Sequence, residues 1–348
     1  MSRPDSASQR ASDDPLAGAE PETEAFWITG PERGQIRATD VLTRAAVAAS
    51  EAAESVVEVE TLYSAVSRGT ESLIFSGRVP PQEYERMRAP FQEGEFPYPV
   101  KYGYSNVGKV VSGDEQLNGQ TVFSLFPHQR RFRLPASAVI PVPERVSPER
   151  AVLAANMETA VNGLWDAAPR VGDRIAVVGL GVVGLLVAWL ANRIPGTRVT
   201  AIDVNPARAD IAQAMGLQFD SREQRDDHDL VIHASGHPAG LNTALSLAGM
   251  EARIVEMSWF GSGEVSVALG GAFHSRRLRL ISSQVGQVSA VQRPRWAYSD
   301  RLKLALSLLE NDALDVLISG ETAFEDLPLT MARLAGSSDE LCHRIRYS

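Results

Sequence analysis

The sequence predicts an α/β protein in which a doubly wound parallel sheet is joined to a β-rich domain. Three features predict this fold. Apolar strands and amphipathic helices alternate over residues 151–285, which is typical of a parallel sheet covered by helices. A glycine-rich turn connects the first strand of this alternation to the helix that follows it. Short strands between Gly- and Pro-containing turns occupy residues 25–150 and indicate a barrel-like β domain.

Length and composition exclude several classes of protein. The chain has 348 residues, which suggests two domains, and its 44% hydrophobic and 22% charged residues are ordinary for a globular protein. A formal net charge of −9 argues against nucleic acid as the main partner. The single cysteine, Cys342, excludes an intramolecular disulfide and a Cys-rich zinc site.

The sequence predicts neither a membrane span nor a secretory signal. The longest apolar run, residues 175–190, is too short for a membrane helix. Residues 1–24 lack the apolar h-region of a secretory signal. They are rich in Ser, Asp, Pro and Glu, so we expect a disordered tail. We therefore expect a cytoplasmic protein that acts on a small-molecule substrate.

The elements of the β-rich segment can be placed approximately. Strands are expected at residues 56–61 and 121–126, and a Gly-, Tyr- and Val-containing stretch covers residues 100–112. The connection over residues 80–99 is long enough to cover a cleft.

The second segment begins with a predicted helix at residues 151–168 and then alternates regularly. Its predicted strands lie at residues 174–178, 198–203, 230–234, 253–257 and 278–283, and its helices at 182–192, 206–215 and 238–247. The C-terminal residues 286–348 contain an amphipathic helix through Leu302 and Leu309, a strand at 314–318 and a helix at 327–334.

The main functional motif is G-x-G-x-x-G after an apolar strand and at the start of a helix, the context that a dinucleotide fingerprint requires. The first glycine makes a tight turn, the second lets the backbone approach a pyrophosphate, and the third lets helix and strand pack closely. The helix N-terminus then favours the phosphates. We therefore predict a Rossmann dinucleotide-binding domain with cofactor contacts from Gly179, Leu180, Gly181, Val182, Val183 and Gly184.

Asp203 supplies the second part of the fingerprint. It ends the next predicted strand, 19 residues after Gly184. An acid at about this distance accepts hydrogen bonds from the adenosine ribose of NAD and would repel the 2′-phosphate of NADP. The sequence therefore favours NAD over NADP, although Asp203 is also placed to cap the helix at residues 206–215.

The mid-chain fingerprint with β-rich segments on both sides resembles the medium-chain dehydrogenase/reductase superfamily. The resemblance covers about residues 25–348 and includes the segments at 203–208, 229–236 and 324–328. It implies a GroES-like catalytic domain over 25–150 and a Rossmann domain over 151–285 that enclose a cleft, with residues 286–348 returning to the catalytic domain.

The resemblance also implies further contacts and an assembly. Additional cofactor-binding residues would be Thr159, Arg208, Ala234 and Ser235. Residues 265–269 match the edge of the Rossmann sheet where subunits of the family pair, so we expect a homodimer or homotetramer.

The zinc ligands of the family are not present at the matching positions. Zinc-dependent members have a Cys in the loop where this chain has residues 67–71, and a His at the position of Tyr104. Glu158 matches a carboxylate ligand of some members but cannot hold zinc alone. Residues 67–71, 99–104 and 126–129 resemble a zinc-lacking branch that is distantly similar to bacteriochlorophyllide a dehydrogenase. We therefore expect no bound metal.

Without zinc, a side chain must handle the proton of the reacting alcohol. The candidates are Tyr104, Lys101, Glu158 as a base, and Ser67 and Thr70 as a relay. A Lys101–Tyr104 pair would need a bend near Gly103, since residues i and i+3 of a strand point to opposite faces. The alternatives are a packed aromatic ring for Tyr104, a solvated charge for Lys101 and an arginine-paired helix residue for Glu158.

The sequence thus predicts a zinc-independent oxidoreductase that transfers hydride between NAD(H) and a secondary alcohol or ketone. One alternative is an NADPH-dependent quinone or enone reductase, against which Asp203 argues. The other is a non-catalytic protein that senses NADH.

Overall fold

The computed structural model describes residues 22–222, 225–336 and 339–348. Its strands are β1 (Glu22–Gly30), β2 (Arg33–Asp40), β3 (Val56–Val66), β4 (Glu93–Gly94), β5 (Val100–Lys101), β6 (Asn106–Ser112), β7 (Thr121–Ser124), β8 (Arg131–Pro135), β9 (Ile140–Pro141), β10 (Arg174–Val178), β11 (Arg198–Ile202), β12 (Gln218–Asp220), β13 (His228–His233), β14 (Ala248–Glu256), β15 (Arg279–Ser282), β16 (Ile318–Ala323) and β17 (Cys342–Arg346). Its α-helices are α1 (Arg44–Glu51), α2 (Arg68–Phe75), α3 (Pro148–Ala151), α4 (Ala154–Ala167), α5 (Val182–Ala191), α6 (Arg208–Ala214), α7 (Pro238–Leu247), α8 (Tyr298–Ser307) and α9 (Leu327–Gly336).

Six parallel strands form the sheet of the second domain, in the order β12-β11-β10-β13-β14-β15. In chain order this is 3-2-1-4-5-6, the Rossmann arrangement, and the direction of winding reverses between β10 and β13. Strand β10 is buried on both faces, with Ile175 and Val177 in one hydrophobic cluster and Ala176 and Val178 in another. The predicted fold class is confirmed.

The β-rich part contains two sheets. The larger joins β16-β17-β3-β6-β7-β9, with β8 also paired to β3, and the smaller joins β2-β1-β5-β4. Phe126 and Phe132 stack at 3.8 Å between ring centroids, inside a core that also contains Val59 and Val122. This separate framework is antiparallel except for the parallel pair β16–β17, and it positions the loop before α2 beside the Rossmann domain.

The C-terminal segment contacts both domains. Helix α8 packs on α4. Strand β17 then pairs antiparallel with β3, with Arg344 opposite Ala65, and so extends the larger β sheet. The last strand therefore ties the chain terminus to the loop that precedes α2.

Three predicted elements differ from the structure. The strand predicted at residues 314–318 is wrong: residues 312–317 form a 3₁₀-helix, because the Asn311 side chain accepts a hydrogen bond from the Ala313 N–H and starts a helical turn. The helix predicted at 151–168 is divided into α3 and α4. The predicted disordered tail lies outside the described residues up to residue 21, whereas Glu22–Glu24 already belong to β1.

Across the described ranges, none of the helices combines the length and the apolar character that crossing a bilayer would require.

Candidate functional site

The glycine turn after β10 is closely packed on one side and open on the other. Gly179 has φ +98°, and a Cβ atom there would lie 2.4 Å from both the nitrogen and the Cα of Ser235. A Cβ on Gly184 would lie 1.9 Å from the carbonyl oxygen of Gly179. By contrast, a Cβ on Gly181 would have no neighbour within 4 Å. The first and third glycines thus allow close packing, and the second faces open space.

That open space lies at the N-terminus of α5. The helix starts at Val182 directly after Gly181, and no side chain caps its first turn. The N–H groups in the first turn of a helix have no partners within the helix, and together with the helix dipole they favour an anion. The residues at 179–184 therefore fit the pyrophosphate of a dinucleotide.

Asp203 follows β11 and lies against the same turn. Its Oδ2 accepts a hydrogen bond from the Leu180 N–H at 2.7 Å, and its Oδ1 accepts one from the Asn205 N–H at 2.8 Å. Each carboxylate oxygen retains a second lone pair that can accept a ribose hydroxyl. Helix α6 starts only at Arg208, so Asp203 stabilises the glycine turn and its own turn and does not cap that helix.

Two arginines, Arg68 and Arg208, lie close enough to each other for their charges to interact. Arg208 is buried at the start of α6. Arg68 comes from α2 of the β-rich domain. Burial lowers the pKa of its guanidinium group, and the charge of Arg208 lowers it further. Asp203 is one of the acids whose charge opposes this change. The Arg68 side chain therefore reaches across to the Asp203 side of the Rossmann domain.

The remaining predicted cofactor residues are Ala234, Ser235 and Thr159. Ala234 donates its N–H to the Val178 carbonyl, and its Cβ would lie 3.6 Å from a Cβ on Gly184. The Thr159 hydroxyl donates to the Ala155 carbonyl within α4, at 2.9 Å. Ala234 and Ser235 therefore lie directly beside the glycine turn, while the hydroxyl proton of Thr159 is used within its own helix.

Tyr104 forms a polar cluster with Ser67 and Thr70. Its phenol donates to Ser67 Oγ at 2.5 Å, and it also hydrogen-bonds to the Thr70 side chain. Burial and the nearby charge of Glu71 raise the pKa of Tyr104 to about 12, and the two hydroxyl contacts oppose that rise. At neutral pH the side chain is therefore a phenol that can donate a proton.

A buried chain of hydrogen bonds supports this cluster. Glu71 Oε1 accepts from the Ser67 N–H at 2.7 Å, and Glu71 Oε2 lies 3.0 Å from His128 Nε2. His128 Nδ1 is 2.7 Å from Ser64 Oγ, which is 2.9 Å from the hydroxyl of Tyr347. Glu71 and His128 thus fix the backbone that carries Ser67.

Sequence reasoning did not assign Glu71 and His128 to the site. His128 lies between β7 and β8 and is almost completely buried. The signal in the sequence was the glycine at position 103. In the structure Gly103 has φ +137°, and a Cβ there would lie 3.1 Å from the His128 ring, so glycine is favoured beside this histidine.

The structure does not bring Lys101 to Tyr104. The Lys101 ammonium is fully buried, 2.8 Å from Glu93 Oε1 and 2.6 Å from Gln129 Oε1. Burial lowers the pKa of Lys101, and the Glu93 carboxylate opposes that change. The predicted Lys101–Tyr104 pair is therefore wrong, and so is the alternative of a solvated charge.

Glu158 is not free to act as a base, because it forms an ion pair. Its Oε1 lies 3.0 Å from Arg301 Nε, and both side chains are almost fully buried. Arg301 also donates to Asn162 Oδ1 at 2.6 Å and to the Val285 carbonyl at 2.7 Å. Burial raises the pKa of Glu158, and Arg301 opposes the rise. Glu158 is therefore a helix residue paired with an arginine, as in the alternative given above, and not a base. Because Arg301 also binds the Val285 carbonyl, the ion pair fixes the segment after β15 against α4.

Comparison with known proteins shows which enzymes the chain is similar to. No model of a protein family matches the chain. D-guloside 3-dehydrogenase of Escherichia coli K12 is 23% identical over 81% of this chain and 87% of its own length. The 2-desacetyl-2-hydroxyethyl bacteriochlorophyllide A dehydrogenase of Rhodobacter capsulatus is 28% identical over 77% of this chain and 86% of its own.

Solved structures share the whole fold. An alcohol dehydrogenase from Escherichia coli CFT073 in complex with NADH has a TM-score of 0.71 at 17% identity, covering 93% of this chain and 99% of its own. A protein from Sinorhizobium meliloti 1021 described as a zinc-binding dehydrogenase, bound to NADP, has a TM-score of 0.73 at 15% identity, covering 94% and 100%.

Similarity over most of the chain to several dehydrogenases supports the predicted resemblance to the medium-chain dehydrogenase/reductase superfamily. The solved structures show the same two-domain fold. The similarity to dehydrogenases also confirms the predicted enzyme class, an NAD(P)-dependent oxidoreductase of the medium-chain type.

The residues at the family's catalytic zinc position do not fit a zinc ion. Ser67 and Tyr104 are hydrogen-bonded to each other, and Glu158 is neutralised by Arg301. Burial raises the pKa of the Cys342 thiol to about 12, so in the absence of a metal this thiol is protonated at neutral pH. Within the described ranges no three His, Cys, Asp or Glu side chains are grouped so that they could hold a metal.

We predict opposite outcomes for alanine at the first two glycines of the turn. Gly179→Ala places a Cβ against the Ser235 backbone at a positive φ, and should destabilise the protein by about 1–3 kcal/mol. Gly181→Ala is the matched control and should change stability by less than about 0.5 kcal/mol. Urea unfolding measures both, and equal losses would contradict the geometry of the turn.

Proposed function

We propose that the chain transfers hydride between NAD(H) and a secondary alcohol or the matching ketone in the interdomain cleft, without zinc. The observation that carries this proposal is the position of the Asp203 carboxylate, which accepts a hydrogen bond from the Leu180 N–H in the glycine turn, next to the open space at Gly181. It places an anionic acceptor for ribose hydroxyls beside an uncapped helix N-terminus that favours phosphates.

The dinucleotide and the protein divide the chemistry. NAD⁺, when bound, accepts the hydride of the alcohol carbon, and NADH returns it. Residues 179–184 would hold the pyrophosphate, and Asp203 the adenosine ribose. The preference for NAD rests on charge, because the 2′-phosphate of NADP would lie beside the Asp203 carboxylate.

Tyr104 is the proposed proton donor in the reductive direction. Its hydroxyl hydrogen is shared with Ser67 Oγ and would move to the oxygen of the ketone as hydride reaches the carbon. The Ser67 and Thr70 hydroxyls hold the phenol and provide an alternative route for the proton. Glu71 and His128 keep Ser67 in position from behind.

The substrate class follows from both the cleft and the relatives. A neutral phenol next to two hydroxyl groups suits an uncharged carbonyl or alcohol group. The two curated relatives are named as dehydrogenases of a guloside and of a hydroxyethyl bacteriochlorophyllide. Both names describe substrates that carry alcohol groups, which supports a secondary alcohol for this chain.

A dimer through β15 is also proposed. This strand ends the six-stranded sheet and has an open edge, and Leu280 on it and Leu269 nearby are 39% and 47% exposed. An open edge with apolar side chains is a surface that a second copy can cover.

Coenzyme binding tests the dinucleotide assignment. The wild type should bind NADH more tightly than NADPH, and Asp203→Ala should weaken NADH binding about 10- to 100-fold because it removes charge-assisted hydrogen bonds to the ribose. Asp210→Ala, an exposed acid in the first turn of α6, should leave binding unchanged. Fluorescence titration measures coenzyme affinity for all three proteins.

An NADPH preference in the wild type would favour the quinone or enone reductase, and binding without turnover would favour the sensor.

Replacement of Tyr104 tests the proposed chemistry. Tyr104→Phe should lower the rate constant for ketone reduction about 10²- to 10⁴-fold, because it removes the proton donor. Tyr102→Phe alters a buried neighbouring tyrosine, 5.9 Å away between ring centroids, and should have little effect.

The pH profile gives a second readout of the same residue. With a pKa of about 12 the phenol stays protonated through pH 10, so reduction should show no loss near the ordinary tyrosine pKa of 10. Oxidation needs the phenolate as base, so its rate should rise with pH toward about 12. Equal pH profiles for Tyr104→Phe and the wild type in stopped-flow measurements would refute the assignment.

Sedimentation tests the dimer. The wild type should sediment at about twice the chain mass of 37.6 kDa, and Leu280→Glu should give monomers because it buries a charge at the interface. Leu329→Glu, an exposed position on α9, is the control and should remain dimeric. A wild type that is monomeric at micromolar concentration would overturn the proposal.

A further inference from the structure

A row of aromatic rings extends from Tyr104 into the β-rich domain. The Tyr104 ring meets Tyr102 edge to face, with 5.9 Å between the ring centroids and 83° between the planes. Tyr102 packs on Phe96 at 5.9 Å, and Phe96 packs on Tyr84 at 5.6 Å. Tyr102 and Phe96 are buried, whereas Tyr104 and Tyr84 are partly exposed. The proposed proton donor therefore lies at one partly exposed end of an apolar row.

Tyr98 packs against the same apolar cluster and contributes its ring to it. Its hydroxyl lies 3.2 Å from the carbonyl oxygen of Ile74 and 3.3 Å from that of Phe75, and it donates to these carbonyls. A Cβ on Gly77 would lie 2.7 Å from this hydroxyl, so the hydroxyl is closely surrounded. The polar atom of Tyr98 is thus satisfied inside the β-rich domain.

The Rossmann domain contributes Trp259 to this cluster. Trp259 lies three residues after β14, is partly exposed, and packs, as Tyr104 does, against the cluster that contains Phe96 and Tyr102. The ring of the next residue, Phe260, stacks on His233 of β13 with 6.3 Å between the ring centroids. Two consecutive aromatic residues therefore contact different domains, and Trp259 is the one that reaches the β-rich domain.

The segment that carries Trp259 is fixed where it meets the β-rich domain. The Ser262 N–H donates to the Arg78 carbonyl at 3.1 Å, and a Cβ on Gly261 would lie 2.5 Å from the same carbonyl oxygen. Arg78 lies just beyond α2, and α2 starts directly after Ser67, the hydrogen-bond partner of the Tyr104 phenol. Trp259 and Tyr104 are therefore contributed by different domains and are held in place by segments that touch each other.

We propose that the substrate carries an aromatic ring next to its carbonyl or alcohol carbon, and that Trp259 is the specificity-determining residue that binds this ring. The inference rests on the proposed function, since it takes Tyr104 as the group that meets the reacting oxygen. An aromatic ring that packs edge to face or offset on another ring gains more than its buried area alone supplies. A polyhydroxylated substrate would instead place hydroxyl groups against rings, where they lose their hydrogen bonds to water.

Reduction of three ketones with NADH by the full chain tests this inference. Acetophenone carries a phenyl ring, cyclohexyl methyl ketone carries a saturated ring of similar size, and dihydroxyacetone carries two hydroxyl groups. The wild type should show a higher kcat/KM for acetophenone than for dihydroxyacetone. Trp259→Leu should lower the ratio of kcat/KM for acetophenone to that for cyclohexyl methyl ketone by about three- to tenfold, the effect of one ring pair.

The way in which the loss divides between KM and kcat is a second readout. The ring of the substrate does not react, so it is bound equally before and in the transition state. Trp259→Leu should therefore raise the KM for acetophenone and leave kcat nearly unchanged.

Trp259→Phe and Trp296→Leu are the matched controls. Phenylalanine keeps a ring at position 259, so this variant should retain the wild-type ratio of the two kcat/KM values to within about twofold. Trp296 packs on Trp165 of α4, with 5.0 Å between the ring centroids. Its replacement by leucine removes a tryptophan of the Rossmann side that is not part of the aromatic cluster, and should leave the ratio unchanged.

The inference is overturned if Trp259→Leu lowers kcat/KM for both ring ketones by the same factor, since Trp259 would then only hold the two domains together. It is also overturned if Trp259→Phe loses as much as Trp259→Leu, or if the wild type prefers dihydroxyacetone; this last comparison decides the matter even if Trp259→Leu does not fold. A wild type that reduces none of the three ketones with NADH or NADPH contradicts the proposed function, whereas reduction without a preference for the phenyl ring overturns only this inference.

Discussion

The contact between Gly179 and Ser235 is the constraint on which the site depends. No side chain fits between these two backbones, since a Cβ on Gly179 would lie 2.4 Å from Ser235. Their contact brings the ends of β10 and β13 together where the winding of the sheet reverses. The N-terminus of α5 and the Asp203 carboxylate meet at this place as a consequence.

The second organising feature is the way in which buried charges are satisfied. Lys101 is paired with Glu93, Glu158 with Arg301, and Glu71 lies against His128. Removing one partner of such a pair costs far more than the pair contributes, so these side chains are held in place. Tyr104 is a half-buried neutral donor among hydroxyl groups, which is why proton transfer is assigned to it and not to the charged groups.

Local patterns in the sequence predicted the Rossmann half well. The glycines, the strand before them and Asp203 lie within about 30 residues, so spacing alone placed them together, and Arg174–Val178 and Pro238–Leu247 match the predicted elements. Lys101 and Glu158 were misjudged because their partners cannot be recognised from local pattern. Arg301 lies 143 residues from Glu158, and Gln129 lies 28 residues from Lys101. The 3₁₀-helix after Asn311 replaced a predicted strand because one side-chain cap outweighed the apolar pattern.

In the proposed function Tyr104 supplies the proton to the ketone oxygen, where zinc-dependent dehydrogenases use the metal to stabilise the alkoxide. The most direct test is turnover of a ketone with NADH by protein that has been treated with chelator and shown by elemental analysis to be metal-free. If Tyr104 has this role, activity should be unchanged, with no gain when zinc is restored. Loss of activity that is recovered by one equivalent of zinc per chain would contradict it.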